Sequence, residues 1–157
     1  MIKTYRVSSP EETENIGAAI AELLDKNNLA RAFIAMQGEM GVGKTAFSRG
    51  FAGYFGIKNV KSPTYTVLNE YRGKRNIHHF DFYRITDGDD LYSIGYDDII
   101  EADGYSLGEW SENITDFLPE DAITVRISRV SSVDDDAASF RDITVDFGNL
   151  NLEEVTQ

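Results

Sequence analysis

One stretch constrains this chain more than any other: Gly38-Glu39-Met40-Gly41-Val42-Gly43-Lys44-Thr45. It satisfies the pattern G-x-x-x-x-G-K-[ST], and its surroundings are those the pattern requires. Before it lies Arg31 to Gln37, whose apolar run Ala32-Phe33-Ile34-Ala35-Met36 reads as a strand buried on both faces. After it, Phe47, Phe51, Tyr54 and Phe55 recur at helical spacing from a start near Lys44, with Gly56 as the stop. In a strand–loop–helix of this kind, glycines let backbone N–H groups curl around phosphate without Cβ clashes. The helix start turns its positive end to the same place. The phosphate-binding set is Gly38, Glu39, Met40, Gly41, Val42, Gly43, Lys44, Thr45 and Ala46. Lys44 is the point charge for the β- and γ-phosphates, and the Thr45 hydroxyl is a Mg²⁺ ligand. The glycine order is wrong for G-x-G-x-x-G, which disfavours a dinucleotide. No N-K-x-D box is present, which favours ATP over GTP.

The remaining elements are read around that loop. Lys3 to Val7 predicts a short strand. Ser9-Pro10-Glu11-Glu12 predicts a capped helix start, with Ser9 as N-cap, Pro10 first in the helix and Glu12 returning to the cap. Ile16, Ile20, Leu23 and Leu24 form the apolar face of that helix. Tyr65 to Tyr71 and Asn76 to Phe82, joined by Arg72-Gly73-Lys74-Arg75, predict an antiparallel hairpin. An acidic helical piece follows, carrying Leu91, Ile94, Ile99 and Ile100. Tyr105 to Trp110 reads as a strand, Ser111 to Phe117 as a short helix, and Ile123 to Val130 and Phe140 to Phe147 as alternating strands. Helices interleave with strands and hairpins. The expectation is an α/β, P-loop NTPase-like three-layer fold with a mixed central sheet that includes the hairpin. The 157 residues fit one domain, with the acidic end from about residue 149 as a frayed tail.

Composition removes several chemistries. No cysteine is present, so disulfides, zinc ribbons, iron–sulfur clusters and thiol catalysis are excluded. The two histidines, His78 and His79, are adjacent on a strand and face opposite sides; they are expected to be packed or exposed, not metal ligands. No apolar run reaches the roughly 20 residues of a membrane span, and Met1 to Val7 holds no signal core. A cytoplasmic protein is the expectation. The net charge of −12 disfavours tight binding of DNA, tRNA or anionic lipid by this chain alone. That charge is uneven. Lys44 to Arg84 holds eight Lys/Arg and two Asp/Glu, whereas Thr86 to the end holds three and 19. The basic residues Arg72, Lys74, Arg75 and Arg84 read as a solvated face, with phosphate or RNA contact as the rival.

A phosphate loop binds; hydrolysis also needs a second magnesium partner and a group that places water. Asp81 and Glu109 each close a β-type segment, and either fits, because spacing does not choose between them. Thr64, within Ser62-Pro63-Thr64-Tyr65-Thr66, stands in a loop that can approach metal and γ-phosphate as switch loops do. Trp110, the only tryptophan, is either core filling or a ring at the site that faces a partner. Two other functions fit a phosphate loop: a small-molecule or nucleotide kinase, with Arg72 to Arg75 as the only available lid, and a non-catalytic nucleotide-sensing module.

Four boxes come in a distinctive order: the phosphate loop, Ser62-Pro63-Thr64-Tyr65-Thr66-Val67-Leu68-Asn69-Glu70-Tyr71, His79-Phe80-Asp81-Phe82-Tyr83-Arg84, and Glu109-Trp110-Ser111-Glu112. Together they resemble the TsaE family, over about Ser9 to Val130. The resemblance implies a small P-loop ATPase that binds ATP or ADP with Mg²⁺ and hydrolyses ATP slowly alone. It implies work beside TsaD and TsaB in making threonylcarbamoyladenosine next to the tRNA anticodon, with tRNA met only through the complex. By position it places Lys44 on the phosphates and Thr45 and Glu109 at the metal. Asp81 falls near the metal, Thr64 in the switch-like loop and Trp110 by the partner contact. It also implies an adenine end formed around Pro10 to Thr13, including Glu11 and Thr13, and near Arg129. Ser111 stands where many relatives carry proline.

Overall fold

The structure is a computed structural model and describes residues 1–62, 67–130 and 140–154. Strand β1 (Ile2–Val7) leads into helix α1 (Pro10–Lys26). Ser9 caps α1, its hydroxyl accepting from the Glu12 N–H at 3.2 Å. The Glu12 carboxylate reaches back one residue further than expected. It accepts from the Ser8 N–H at 2.8 Å and so satisfies a donor just outside the helix. Strand β2 (Arg31–Gln37), the loop and helix α2 (Lys44–Tyr54) follow as read from the sequence. Next come β3 (Leu68–Tyr71), β4 (Ile77–Asp81), α3 (Gly88–Ser93) and α4 (Tyr96–Glu101). β5 (Gly104–Glu109), a 3-10 segment kinked at Ile114 (Ser111–Phe117), β6 (Ile123–Arg129) and β7 (Arg141–Asp146) complete the order.

The seven strands form one mixed sheet in the order β1-β7-β6-β2-β5-β4-β3. The four central strands are parallel: β2 pairs with β6 and β5, and β5 with β4. Both edges are antiparallel, through β3–β4 on one side and β6–β7–β1 on the other. Period-two alternation assigns each strand's side chains to a layer. Ile34 and Met36 pack with Leu24, Phe47 and Phe51 on the α1–α2 side. Phe33 and Ala35 pack with Phe80, Phe82, Leu91, Tyr96 and Ile114 on the α3–α4 side. The result is helices, sheet, helices, the three-layer α/β arrangement of a P-loop NTPase-like fold. Each fully buried Phe contributes roughly 1.5–3 kcal/mol by leaving water, and Phe33, Phe80 and Phe82 stack within 6.5 Å of one another.

Helices α1 and α2 touch backbone to backbone. A Cβ on Gly50 would lie 1.8 Å from the Glu14 carbonyl oxygen, and one on Gly17 would lie 2.2 Å from that of Phe47. Two glycines therefore set the separation of the helices. That contact brings Thr13, in the first turn of α1, against Gly43 of the loop.

The hairpin's first strand is described from Leu68; Thr64, Tyr65 and Thr66, where the sequence reading begins it, lie outside the described residues. Its turn bears on the rival kinase reading. Because β4 runs parallel to β2, the Arg72 to Arg75 turn lies at the sheet edge opposite the loop. There Arg75 pairs with Asp25 near the end of α1 at 3.0 Å. No lid over phosphates comes from it. Asn27 brackets Glu153, donating to its carbonyl at 2.9 Å and accepting from its N–H at 2.7 Å, while Leu150 and Leu152 pack on the core. These contacts hold residues 149–154 although they carry no helix or strand. Among the described residues no helix is long and apolar enough to cross a membrane.

Candidate functional site

The loop lies where a parallel sheet places a ligand crevice. β2 lies between β6 and β5; it leads through α2 toward β3 on the β5 side, whereas β5 leads across it to β6 on the other. Two glycines make the path possible. Gly38 (φ 149°) passes so close to β6 that a Cβ would lie 2.5 Å from the Ile127 carbonyl oxygen, and Gly43 (φ 124°) turns the chain into α2. Val42 anchors the loop by burying its side chain, while Glu39, Met40 and Gly41 are exposed at the tip and Ala46 lies in the first turn of α2. Arg129, at the end of β6, holds that tip. Its guanidinium donates to Glu39 Oε2 at 2.8 Å and to the Met40 carbonyl at 3.0 Å. A cavity of about 440 Å³ opens beside it, lined by Gly38, Trp110, Glu112 and Arg126 among others.

Lys44 is buried, and its Nζ donates to the Gly38 carbonyl at 2.6 Å. The same ammonium sits 3.7 Å from the centroid of the Trp110 ring, a cation–π contact. Burial lowers its pKa, and Glu112, Glu109 and Asp81 pull it back up. Trp110 thus belongs to the site as well as resting on the α3–α4 core, and its outer edge meets exposed Tyr83 at 5.1 Å. Its backbone is left-handed (φ 60°, ψ 38°), a conformation costing on the order of 1–3 kcal/mol for a bulky residue and concentrated at functional sites. Glu112 reaches the loop too, accepting from the Gly38 N–H at 3.3 Å.

Strand register brings both sequence-derived carboxylates to this edge. Asp81 and Glu109 are partners across β4 and β5, on the face toward α2. Glu109 is buried, and Thr45 Oγ1 lies 3.4 Å from its Oε1. Asp81 Oδ1 accepts from the Tyr83 N–H at 3.0 Å. Burial raises the Asp81 pKa and the Glu109 charge adds to the rise, against the Tyr83 hydrogen bond. His79 was the residue that sequence reasoning passed over. It is fully buried, and its Nε2 stands 2.6 Å from Glu109 Oε2. The available signal was period two, which puts His79 on the face of Asp81. Thr13 lies against Gly43, whereas Glu11 is exposed in the same turn with no hydrogen bond to the loop among the described residues. Thr64 falls outside them.

No group of three or more His, Cys, Asp or Glu arranged for a metal occurs among the described residues. The donors present nevertheless suit Mg²⁺: one hydroxyl and one or two carboxylates are hard oxygens, and this ion keeps waters and takes its remaining ligands from phosphates. Asp81 also carries a stability prediction. Its raised pKa means that the ionised form opposes folding, fully above the folded pKa and not at all below the unfolded one. Asp81→Asn keeps an acceptor for Tyr83 and removes the charge. Thermal unfolding at pH 7 should therefore show a higher midpoint than wild type, by a margin that shrinks as pH falls through the carboxylate range.

Residues 7–137 fit the model of the family described as threonylcarbamoyl adenosine biosynthesis protein TsaE. The tRNA threonylcarbamoyladenosine biosynthesis protein TsaE of Haemophilus influenzae is 40% identical over 114 residues, covering 71% of this chain and 72% of that one. The protein of that name in Bacillus subtilis is 33% identical over 127 residues, 80% of this chain and 77% of that one. Among solved structures, Bacillus subtilis YdiB superposes with a TM-score of 0.73 at 28% identity, covering 95% of this chain and 88% of that one. With the family pattern matched over most of its length and the loop, Asp81 and Glu109 gathered at one sheet edge, the chain belongs to the TsaE family.

Proposed function

We propose that this TsaE-family protein binds and hydrolyses ATP, with Mg²⁺, as a subunit acting beside TsaD and TsaB in the threonylcarbamoyladenosine modification of tRNA. One observation carries the reading. Lys44 and Thr45, from the loop side, and Glu109 and Asp81, from two neighbouring strand ends, meet at a single edge of the sheet. The loop N–H groups and the α2 N-terminus would hold the phosphate oxygens. Lys44 would leave the Gly38 carbonyl for the β- and γ-phosphates, because a charge-assisted bond to phosphate is stronger than one to a neutral carbonyl. Thr45 and Glu109 would hold Mg²⁺, which supplies charge neutralisation on the transferring phosphoryl group. Asp81, less buried than Glu109 and free of the Thr45 contact, would orient the attacking water. Thr13 and Arg129 flank the loop on the two sides where an adenosine would lie. The kinase alternative loses its only lid, since Arg72 to Arg75 stand at the far edge.

Phosphate release from ATP and Mg²⁺ tests the reading, with the chain alone and then with purified TsaB and TsaD. Slow release alone and a rise with the pair is expected. A phosphorylated small-molecule acceptor would turn the assignment to a kinase. An occupied site with no turnover in any combination would turn it to a sensing module.

A further inference from the structure

Glu109 is 5% exposed, and its two oxygens meet groups from two different elements. Oε1 is 3.4 Å from the Thr45 hydroxyl on α2; Oε2 is 2.6 Å from His79 Nε2 on β4. A carboxylate only accepts, so Nε2 carries the proton in this contact. The other ring nitrogen, Nδ1, has no hydrogen-bond partner among the described residues. A fully buried imidazole with one nitrogen unpaired is costly by comparison with an apolar side chain of similar volume. Its bond to Glu109 is the only hydrogen bond its ring makes there. Lys44 is drawn toward Glu109 electrostatically, yet its ammonium bonds the Gly38 carbonyl, and no ion pair between the two forms among the described residues.

We propose that His79 is a positioning residue for Glu109. It holds the carboxylate back beside Thr45, at the metal position, so that Glu109 does not close onto Lys44 and neutralise the charge meant for phosphate. The proposal rests on the ATPase reading of the site. It makes the imidazole the outer partner of a metal-holding carboxylate, a relation whose loss typically costs about 10–100-fold in metal affinity or activity.

The test uses the full chain and its single tryptophan, whose ring lies against Lys44 and so reports nucleotide arrival by fluorescence. ADP is titrated with and without Mg²⁺ for wild type, His79→Gln, His79→Leu and His79→Asn. Gln places an amide nitrogen near the Nε2 position; Leu donates nothing, and Asn is too short to reach Glu109. In the Leu and Asn variants the Mg²⁺-dependent gain in ADP affinity should fall by about 10-fold or more, and Mg²⁺-free affinity should fall too, because Glu109 then closes onto Lys44. Phosphate release should lose kcat by a similar factor with KM raised as nucleotide binding weakens, and Gln should restore most of both. In a Glu109→Gln background, adding His79→Leu should cost nothing more, as a shared interaction requires. In the metal-free protein, imidazole nitrogen shifts should report protonated Nε2 and should move in Glu109→Gln. Wild-type Mg²⁺ dependence in folded His79→Leu, or additive losses with Glu109→Gln, overturns the proposal. Should the Leu variant not fold, equal behaviour of Asn and Gln overturns it. A wild-type chain that neither binds nucleotide nor releases phosphate overturns the ATPase reading and the proposal together, and is seen before any variant is made.

Discussion

Lys44→Ala is expected to abolish measurable phosphate release and weaken ATP binding while leaving the fold intact. Lys44 sits at the start of α2, its ammonium 2.6 Å from the Gly38 carbonyl and 3.7 Å from the Trp110 ring centroid. Both partners are neutral, so the charge is uncommitted and available to phosphate. Removing one preorganised donor aimed at developing charge costs about 10²–10³-fold in kcat, and here a full positive charge goes with it. The fold tolerates the change because burial already disfavours that charge. Steady-state phosphate release with TsaB and TsaD, next to a circular dichroism melt, checks both halves. Turnover within a few-fold of wild type would falsify the role of Lys44.

Gly50→Ala should unfold the protein at a markedly lower temperature, although helix propensity alone favours the change by roughly 0.8–1 kcal/mol. The new Cβ would fall 1.8 Å from the Glu14 carbonyl oxygen, a backbone atom that moves only if α1 moves. Overpacking of this kind costs typically 1–3 kcal/mol and occasionally more. A net loss of about 2 kcal/mol, the upper end once propensity is subtracted, should lower the midpoint by about 4–8 °C in a chain of this length. Gly53→Ala, three residues on along the same helix, is the control. Its Cβ would meet nothing within 4 Å, so it should be neutral or stabilising by about 0.5 kcal/mol. Thermal melts of the two variants side by side should move in opposite directions. Because the same contact sets Thr13 against Gly43, Gly50→Ala should also weaken nucleotide binding at temperatures where the variant remains folded.

The elements that were legible beforehand share a short range. Ser9 and Pro10 announce α1 within four residues, the apolar run announces β2, and the spacing of Phe47, Phe51 and Phe55 announces α2. Asp81 and Glu109 were visible as strand-end carboxylates, but spacing left their relation open. The register of β4 against β5 makes them neighbours, and that pairing joins residues with two whole helices between them. His79 was read as packed or exposed and is packed; what stayed hidden was that its ring, among the described residues, hydrogen-bonds Glu109, 30 positions away. Arg72 to Arg75 looked available to the phosphates until strand direction placed them at the opposite edge. The tail looked loose by composition, and Asn27, on the far side of the chain in sequence, ties it down.

By itself, then, the sequence determined the phosphate loop, the helices and strands around it, and the chemistry Lys44 and Thr45 can supply. Backbone conformation, capping and hydrophobic period are set by residues within a turn or two of one another. Only the tertiary structure decided which carboxylate stands beside Thr45, which imidazole holds it, how near α1 comes to α2, and which basic residues are remote from the site. Those outcomes depend on strand register and helix contact between segments that meet only when the sheet closes around its core, and no local pattern encodes such a distance.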